Sequence, residues 1–189
     1  MMFGAESALI DAHISNAADG IKLVNSSLVV RNCTMTGGGG IQITGSTPTS
    51  LALDYASFSR PTPSGHLIDA SLLYASLDLS VTNSHLSGAT VMNLACRGHL
   101  NIRIINSSVN STTGGAAVNV AGGATQVTIT AASSTFTGTF YMNSFSYAFR
   151  LLVCFFKYVL LSVYFKITGE EWKLHRRQLC YVKECHLTP

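Results

Sequence analysis

Charged side chains are scarce in this sequence. Asp, Glu, Lys and Arg make up 11% of its 189 residues, whereas a typical globular chain carries about 25%. Residues 1–140 hold five Lys and Arg and six Asp and Glu, so they have no basic stripe of the kind that nucleic-acid binding requires. Ser, Thr, Asn and Gly replace the missing charge. The composition excludes a nucleic-acid partner and suits a secreted or surface β-protein better than a cytosolic enzyme.

A disulfide framework is also missing, because the cysteines are odd in number and irregularly spaced. They are Cys33, Cys96, Cys154, Cys180 and Cys185. No signal peptide is visible either, since residues 1–6 have neither a basic start nor an apolar run. We therefore expect that the natural start lies upstream, or that the protein is not exported by that route.

Aromatic residues and glycines are unevenly distributed along the chain. Twelve of the seventeen aromatic residues lie from Phe140 onward, and fifteen of the sixteen glycines lie before residue 139. Residues 141–189 are also basic, with seven Lys and Arg against three Asp and Glu. This break predicts two segments, residues 1–138 and 139–189.

A short pattern recurs within the first segment: a polar pair, one variable residue, one apolar residue and a hydroxyl or amide side chain. Clear copies are Asn32–Thr36, Asn83–Ser87, Asn106–Asn110 and Ser133–Thr137, and degenerate copies are Asp11–Ser15 and Tyr55–Ser59. The apolar anchors are Ile14, Met35, Phe58, Leu86, Val109 and Phe136. They lie 21, 23, 28, 23 and 27 residues apart, and such a period is the signature of a solenoid.

Before each anchor, apolar and polar residues alternate, which predicts a strand with one buried and one exposed face. Gly-rich turns and a second short strand follow the anchors. We predict a core built from the inward residues Leu28, Val30, Met35, Leu53, Phe58, Leu79, Leu86, Ile102, Val109, Ile129 and Phe136.

One coil of two or three short strands cannot bury its inner face alone, but stacked coils bury it and pair every backbone edge. The sequence therefore predicts an all-β fold, a right-handed parallel β-helix of about five to six coils over residues 1–138. Asn or Ser at the start of each copy suits a tight corner, because short polar side chains tolerate a left-handed backbone. Stacked Asn side chains can also form a ladder between coils.

This pattern resembles the right-handed parallel β-helix of pectate-lyase-like proteins, in particular the repeats of polymorphic outer-membrane proteins and autotransporter passengers. The matching features are the Asn and Ser residues that begin the copies and the Gly-Gly-aliphatic starts at Gly39–Ile41 and Gly114–Ala116. The polymorphic family also has a Phe followed three residues later by Asn, whereas Phe136 is followed by Thr139 here. The resemblance implies a solenoid displayed at a surface, and its enzyme relatives imply a carbohydrate-active alternative.

Catalysis on polysaccharides requires a carboxylate pair, or clustered acids that hold a cation together with a base. Asp54 and Asp78 take comparable outward positions on neighbouring coils, where their carboxylates can face each other. We interpret them as solvated surface charges, because neither belongs to a recognisable acid pair. We predict no catalytic residue and no cofactor.

Metal ligands are also not predicted. His13, His66 and His85 fall in different parts of their coils and have no partners at metal-binding spacing. A further group in the tail fits a tetrahedral zinc site poorly: His175, Cys180, Cys185 and His186.

Four Asn-X-Ser/Thr sequons occur, at Asn25, Asn32, Asn106 and Asn110. A buried corner residue such as Asn32 or Asn106 is a poor acceptor for a glycan. For a chain secreted from a eukaryotic host, we predict Asn25 and Asn110 as glycosylation sites.

The second segment contains an apolar run of fifteen residues, Leu151–Phe165, interrupted by Lys157. A transmembrane helix needs about twenty residues. Extending the run to 145–167, with Arg150 and Lys157 reaching towards the membrane surface, allows a span that anchors the protein. Two alternatives stay open: a helix or strand that caps the open end of the solenoid, and non-native sequence at the end of a gene model.

Together these features predict a non-enzymatic extracellular or cell-surface protein with a structural or adhesive role. Its outward Ser, Thr and Asn side chains would bind glycans or surface proteins. We expect this chain to be part of a larger one. The alternative is a carbohydrate-active β-helix enzyme, a polysaccharide lyase or glycoside hydrolase, whose catalytic coils lie outside this chain or have been lost.

Overall fold

The computed structural model describes residues 2–3, 6–15, 18–61, 65–144, 149–154, 161–167, 170–176 and 183–187. Within these residues every helix or strand element is a strand. We number the strands β1 to β23 along the chain, and they form three sheets.

The three sheets run along the length of the molecule. Sheet 1 has the order β1 (Met2–Phe3), β4 (Ile21–Val24), β7 (Ile41–Gly45), β10 (His66–Leu72), β13 (Thr90–Cys96), β16 (Ala116–Gly122), β19 (Thr139–Ser144), β21 (Leu161–Ile167) and β22 (Glu170–Arg176). Sheet 2 has the order β2 (Glu6–Ile10), β5 (Ser27–Arg31), β8 (Thr49–Asp54), β11 (Leu77–Thr82), β14 (His99–Ile105), β17 (Gln126–Ala132), β20 (Phe149–Cys154) and β23 (Lys183–Leu187). Sheet 3 has the order β3 (His13–Ser15), β6 (Thr34–Thr36), β9 (Ser57–Arg60), β12 (His85–Gly88), β15 (Ser108–Ser111) and β18 (Thr135–Thr137).

From β2 to β20 each coil passes through sheet 2, then sheet 3, then sheet 1, so that every third strand stacks on the same sheet. Neighbouring strands from β1 to β21 are parallel, and only the pairs β21–β22 and β20–β23 are antiparallel. The six strands of sheet 3 mark about five full turns. The predicted all-β parallel solenoid is confirmed.

The inner faces of the three sheets meet in one continuous apolar core. The six anchors form a single ladder through sheet 3, since Ile14 pairs with Met35, Met35 with Phe58, and so on to Phe136. Every residue of the predicted core is buried. The sequence thus predicted both the register of sheet 3 and the inner face of sheet 2.

The Gly-rich turns connect sheet 3 to sheet 1, as expected. Gly40 shows why glycine is needed there, because its φ is +73° and an added Cβ would lie 2.5 Å from the carbonyl oxygen of Leu67. A side chain at this position would therefore separate two neighbouring coils.

The tail, residues 139–189, forms strands β19 to β23 in its described residues, so the helix that the sequence allowed there is not found in them. Phe, Val and Tyr are frequent in β20 and β21, and these residue types favour strands over helices. Among the described residues there is no helix long and apolar enough to cross a membrane.

The proposed span 145–167 falls partly on residues 145–148 and 155–160, which lie outside the described residues. The membrane span, the cap and the non-native tail all stay predictions. Across the predicted segment boundary, β19 pairs in parallel with β16 and so extends sheet 1 beyond residue 138.

Candidate functional site

The corner between sheets 2 and 3 is the same in all six coils, and we call it the polar corner. It consists of residues 11–12, 32–33, 55–56, 83–84, 106–107 and 133–134, which are two residues in every coil. The first residue has a positive φ between 48° and 52° in each of them. Asn, Asp and Ser adopt this left-handed conformation more readily than most residues. The prediction that the Asn and Ser residues at the start of each copy form tight corners with a left-handed backbone is confirmed.

The amide side chains of the polar corner form the predicted ladder between coils. Asn32 Nδ2 donates to Asp11 Oδ1 at 2.6 Å, and Asn106 Nδ2 donates to Asn83 Oδ1 at 2.7 Å. Tyr55 interrupts the ladder, and Asn83 Nδ2 instead donates to Asp54 Oδ1 at 3.3 Å. The ladder therefore has two parts with an aromatic residue between them.

The second residue of the polar corner points inward and carries a buried hydroxyl in three successive coils. Ser107 Oγ donates to the carbonyl of Ile105 at 2.7 Å and accepts from the backbone N–H of Ser84 at 3.0 Å. Ser84 and Ser134 repeat both contacts in their own coils. This ladder satisfies backbone groups where the chain turns away from the sheet hydrogen bonds.

The outer face of sheet 3 carries a row of hydroxyl and imidazole groups beside the polar corner. The row follows the register His13, Thr34, Ser57, His85, Ser108 and Thr135. His85 Nδ1 shares a hydrogen bond with Ser108 Oγ, and His13 Nδ1 does so with Thr34 Oγ1. The expectation that these histidines fall in different parts of their coils was wrong for His13 and His85. They share one row but stand three coils apart, roughly 14 Å, which is too far to hold one ion.

Between the polar corner and this row runs an open groove of about 510 Å³, which we call the axial groove. One wall is the polar corner from Asn32 to Ser133, and the other is the row from Ser57 to Thr135. The groove therefore spans five coils, or about 19 Å at a coil spacing of about 4.8 Å. None of the residues that line it in the described part is Asp, Glu, Lys or Arg.

Tyr55 differs from the other described lining residues of the axial groove in having a phenol ring. It takes the left-handed corner position with φ +51°, its surface is 61% exposed, and it lines the groove. Sequence reasoning identified Tyr55 only as part of a degenerate repeat copy. The signal that was overlooked is its rarity, because only five aromatic residues precede Phe140.

Asp54 and Asp78 do not face each other, contrary to what their outward positions suggested. Asp54 pairs in register with Thr82, whereas Asp78 pairs with Ser50, so the two carboxylates lie four residues apart along their strands. Asp54 is 3.5 Å from Arg31 Nε, and Asp78 accepts a hydrogen bond from Asn101. These two residues do not form an acid pair.

The described residues contain few groups suited to bind a metal or act as a nucleophile. No three His, Cys, Asp or Glu side chains come together as a metal site among the side chains that the structure describes, and the tail group His175, Cys180, Cys185 and His186 lies outside these. Cys33 and Cys96 are buried thiols. Burial raises the pKa of Cys96, with backbone hydrogen bonds at Gly98 and Leu77 acting in the opposite direction. Such a thiol is a poor nucleophile at neutral pH.

The four sequons differ in how their side chains are engaged. The expectation that Asn32 and Asn106 are buried was wrong, because both are exposed at the polar corner, where they donate their amide hydrogens to the ladder. The Oδ1 atom of Asn25 accepts from the N–H of Ser46 at 2.7 Å, and the exposed Asn25 donates no side-chain hydrogen bond among the described residues. Asn110 is half-buried on sheet 3. Glycosylation at Asn25 and Asn110 stays a prediction.

The fold defines this chain as a parallel β-solenoid with three sheets. Comparison with models of protein families, with curated proteins and with solved structures finds no match. Inference about its role therefore depends on the geometry of the solenoid itself.

Proposed function

We propose that this protein is a non-enzymatic β-solenoid of the extracellular space or the cell surface, with an adhesive or structural role in which it binds glycans or surface proteins. The observation that supports this best is the axial groove, a surface of mainly hydroxyl and amide groups on successive coils of a rigid scaffold, with no Asp, Glu, Lys or Arg among its described lining residues. Repeated polar groups at fixed spacing suit a ligand that itself repeats.

The scaffold gives the groove its rigidity. Each strand of sheet 3 inside the stack is hydrogen-bonded to the coils before and after it, and the anchors beneath it are buried. Side chains on such strands need little ordering when a ligand binds, so the entropic cost of binding is small.

Location outside the cell is supported by composition. The low charge and the abundance of Ser, Thr and Asn fit extracellular repeat proteins, and the resemblance to polymorphic outer-membrane and autotransporter repeats points the same way. In a eukaryotic host, glycans on Asn25 and Asn110 would be consistent with this location.

The direct test is binding and turnover by the purified full-length chain. We would incubate it with neutral and acidic polysaccharides and with intact cells, measuring both the bound fraction and the release of reducing ends or unsaturated products. Binding without product release is the expected result. Release of products that grows with time would overturn the non-enzymatic proposal.

A paired variant locates the binding surface. Ser108→Asp with Thr135→Asp places two charges on the groove wall and should weaken binding. Thr128→Asp, which adds a charge to the outer face of sheet 2, is the matched control and should bind like the parent. Equal loss in both variants would mean that the groove is not the surface involved.

A further inference from the structure

Tyr55 departs from the pattern of its corner in a way that does not serve the fold. Four of the other five polar corners begin with Asn or Asp, and the last begins with Ser. A bulky residue with a positive φ is strained, and strained residues that persist in native proteins cluster at binding and catalytic sites. Tyr55 also breaks the amide ladder, so it contributes less to coil stacking than an Asn would.

The ring of Tyr55 is available to a ligand. The residue is 61% exposed and lies towards the N-terminal end of the axial groove, with Ala56 and Ser57 beside it. A Tyr side chain offers a flat apolar face and a hydroxyl at its tip, and suits a partner that is apolar on one face and polar at its edges.

The other residues that line the groove restrict the chemical class of that partner. Its walls present amide and hydroxyl groups that both donate and accept hydrogen bonds. No lining residue in the described part carries a carboxylate, an ammonium or a guanidinium group. The nearby Asp54 carboxylate is balanced by Arg31 at 3.5 Å. A ligand with repeated neutral hydroxyl groups matches this surface better than a charged polymer does.

An extended peptide fits the groove less well. Peptides that bind sheets add a strand to an open edge, but the backbone groups of β9, β12 and β15 are already paired with neighbouring coils.

We propose that the axial groove binds a neutral oligosaccharide lying along the solenoid axis, with one sugar ring stacked on Tyr55. This inference depends on the proposed function and specifies its ligand. The apolar C–H face of the sugar packs on the ring, while its hydroxyls bond to the amide wall around Asn83 and Asn106 and to the hydroxyl wall around Ser108.

The test compares two tyrosine variants of the full-length chain by calorimetric titration. The probes are cello-, xylo-, manno- and laminari-oligosaccharides, with an oligogalacturonate as the acidic comparison. Tyr55→Asn restores the residue type of the other corners and should weaken binding of the neutral probe by about tenfold, the size of one aromatic contact. Its thermal midpoint should equal or exceed that of the parent, because Asn tolerates the left-handed backbone.

Tyr74→Asn is the matched control. Tyr74 is also exposed, at 77%, and also has a positive φ, but it lies on the corner between sheets 1 and 2 and contacts Arg97 rather than the groove. This variant should bind within about twofold of the parent, as expected for a surface change outside the site.

The outcomes separate the inference from the proposed function. If Tyr55→Asn binds the neutral probe like the parent, or if only the acidic probe binds, the inference is wrong although a glycan-binding role stands. If the parent binds surface proteins but no oligosaccharide, the inference is wrong and the protein-binding form of the function remains. If the parent binds neither, both are overturned.

Discussion

The polar corner and the other two corners of each coil follow different rules. The polar corner has two residues in every coil, whereas the corner between sheets 1 and 2 has two to four, as in residues 25–26 and 73–76. Where the structure describes it completely, the corner between sheets 3 and 1 has one to four, as at residue 89 and residues 112–115. We call these two the variable corners. The comparison shows that only the polar corner keeps the same length in every described coil.

The physical reason lies in what each corner must do. At the polar corner one residue turns the chain with a left-handed φ and the next places its side chain in the core. A third residue would move either the left-handed residue or the buried side chain out of its position. The variable corners differ in length from coil to coil, and exposed positions within them, such as Thr112 and Thr113, can accept an added residue at little cost.

The largest expected effect comes from a single Gly inserted at each kind of corner. Inserted after Asn106, it displaces Ser107 from the core and shifts β15 by one residue, which turns Val109 outward. We expect loss of the cooperative unfolding transition in urea. Inserted after Thr113, in an exposed variable corner, the same residue should cost below about 1 kcal/mol.

The two insertions are compared by circular dichroism and urea titration of the full-length chain. Equal stability of the two variants would show that the polar corner adapts as freely as the others, and the comparison between the corners would fail.

The polar corner also explains what could be predicted from sequence. The anchors Met35, Leu86 and Val109 were found because the two-residue corner keeps them at a constant distance from the left-handed Asn. Alternation then fixed the inner face of β11 and β14, since a period of two leaves no choice once one face is buried. These features are local in sequence, so a single chain reveals them.

Other features depend on neighbouring coils and were missed. Asp54 lies one residue before its corner and Asp78 lies five before its own, so counting back from the corner would have placed them on different rows. The axial groove has no local motif, because its walls come from five coils. The sequence does not reveal that Tyr55 lines this groove, because the groove exists only once the coils are stacked.

The second prediction concerns the buried hydroxyl of the polar corner. Ser107→Ala removes the acceptor of the Ser84 N–H and leaves that buried backbone group unpaired, whereas the Ile105 carbonyl still accepts from the Asn83 N–H. The free energy of unfolding should fall by about 1–3 kcal/mol, measured by urea titration. Ser108→Ala, on the outer face of the same strand, is the control; it loses the hydrogen bond with His85, but because that bond is exposed to water the change should be about 0.5 kcal/mol.

A third variant at this position refines the result. Ser107→Cys should keep most of the stability, because Cys33 fills the same place in its own coil and its Sγ donates to the carbonyl of Arg31 at 3.1 Å. If Ser107→Ala and Ser108→Ala were equally stable, the buried ladder would make no net contribution to the fold.

The smallest expected effect comes from variants of Asn106. They separate its two roles, which are to adopt the left-handed backbone and to donate a hydrogen bond in the amide ladder. Asn106→Ala must hold Ala at φ +48°, which costs about 1–2 kcal/mol. It also loses the side-chain hydrogen bond to Asn83. Asn106→Gly loses the same exposed bond but adopts the left-handed backbone freely, so its cost should be about 1 kcal/mol or less. Thr112→Ala, in a variable corner without a positive φ, should stay within about 0.5 kcal/mol of the parent. Urea titration of the three variants measures these differences. If Ala and Gly cost the same at position 106, the ladder bond and not the backbone conformation would be what selects asparagine at the polar corner.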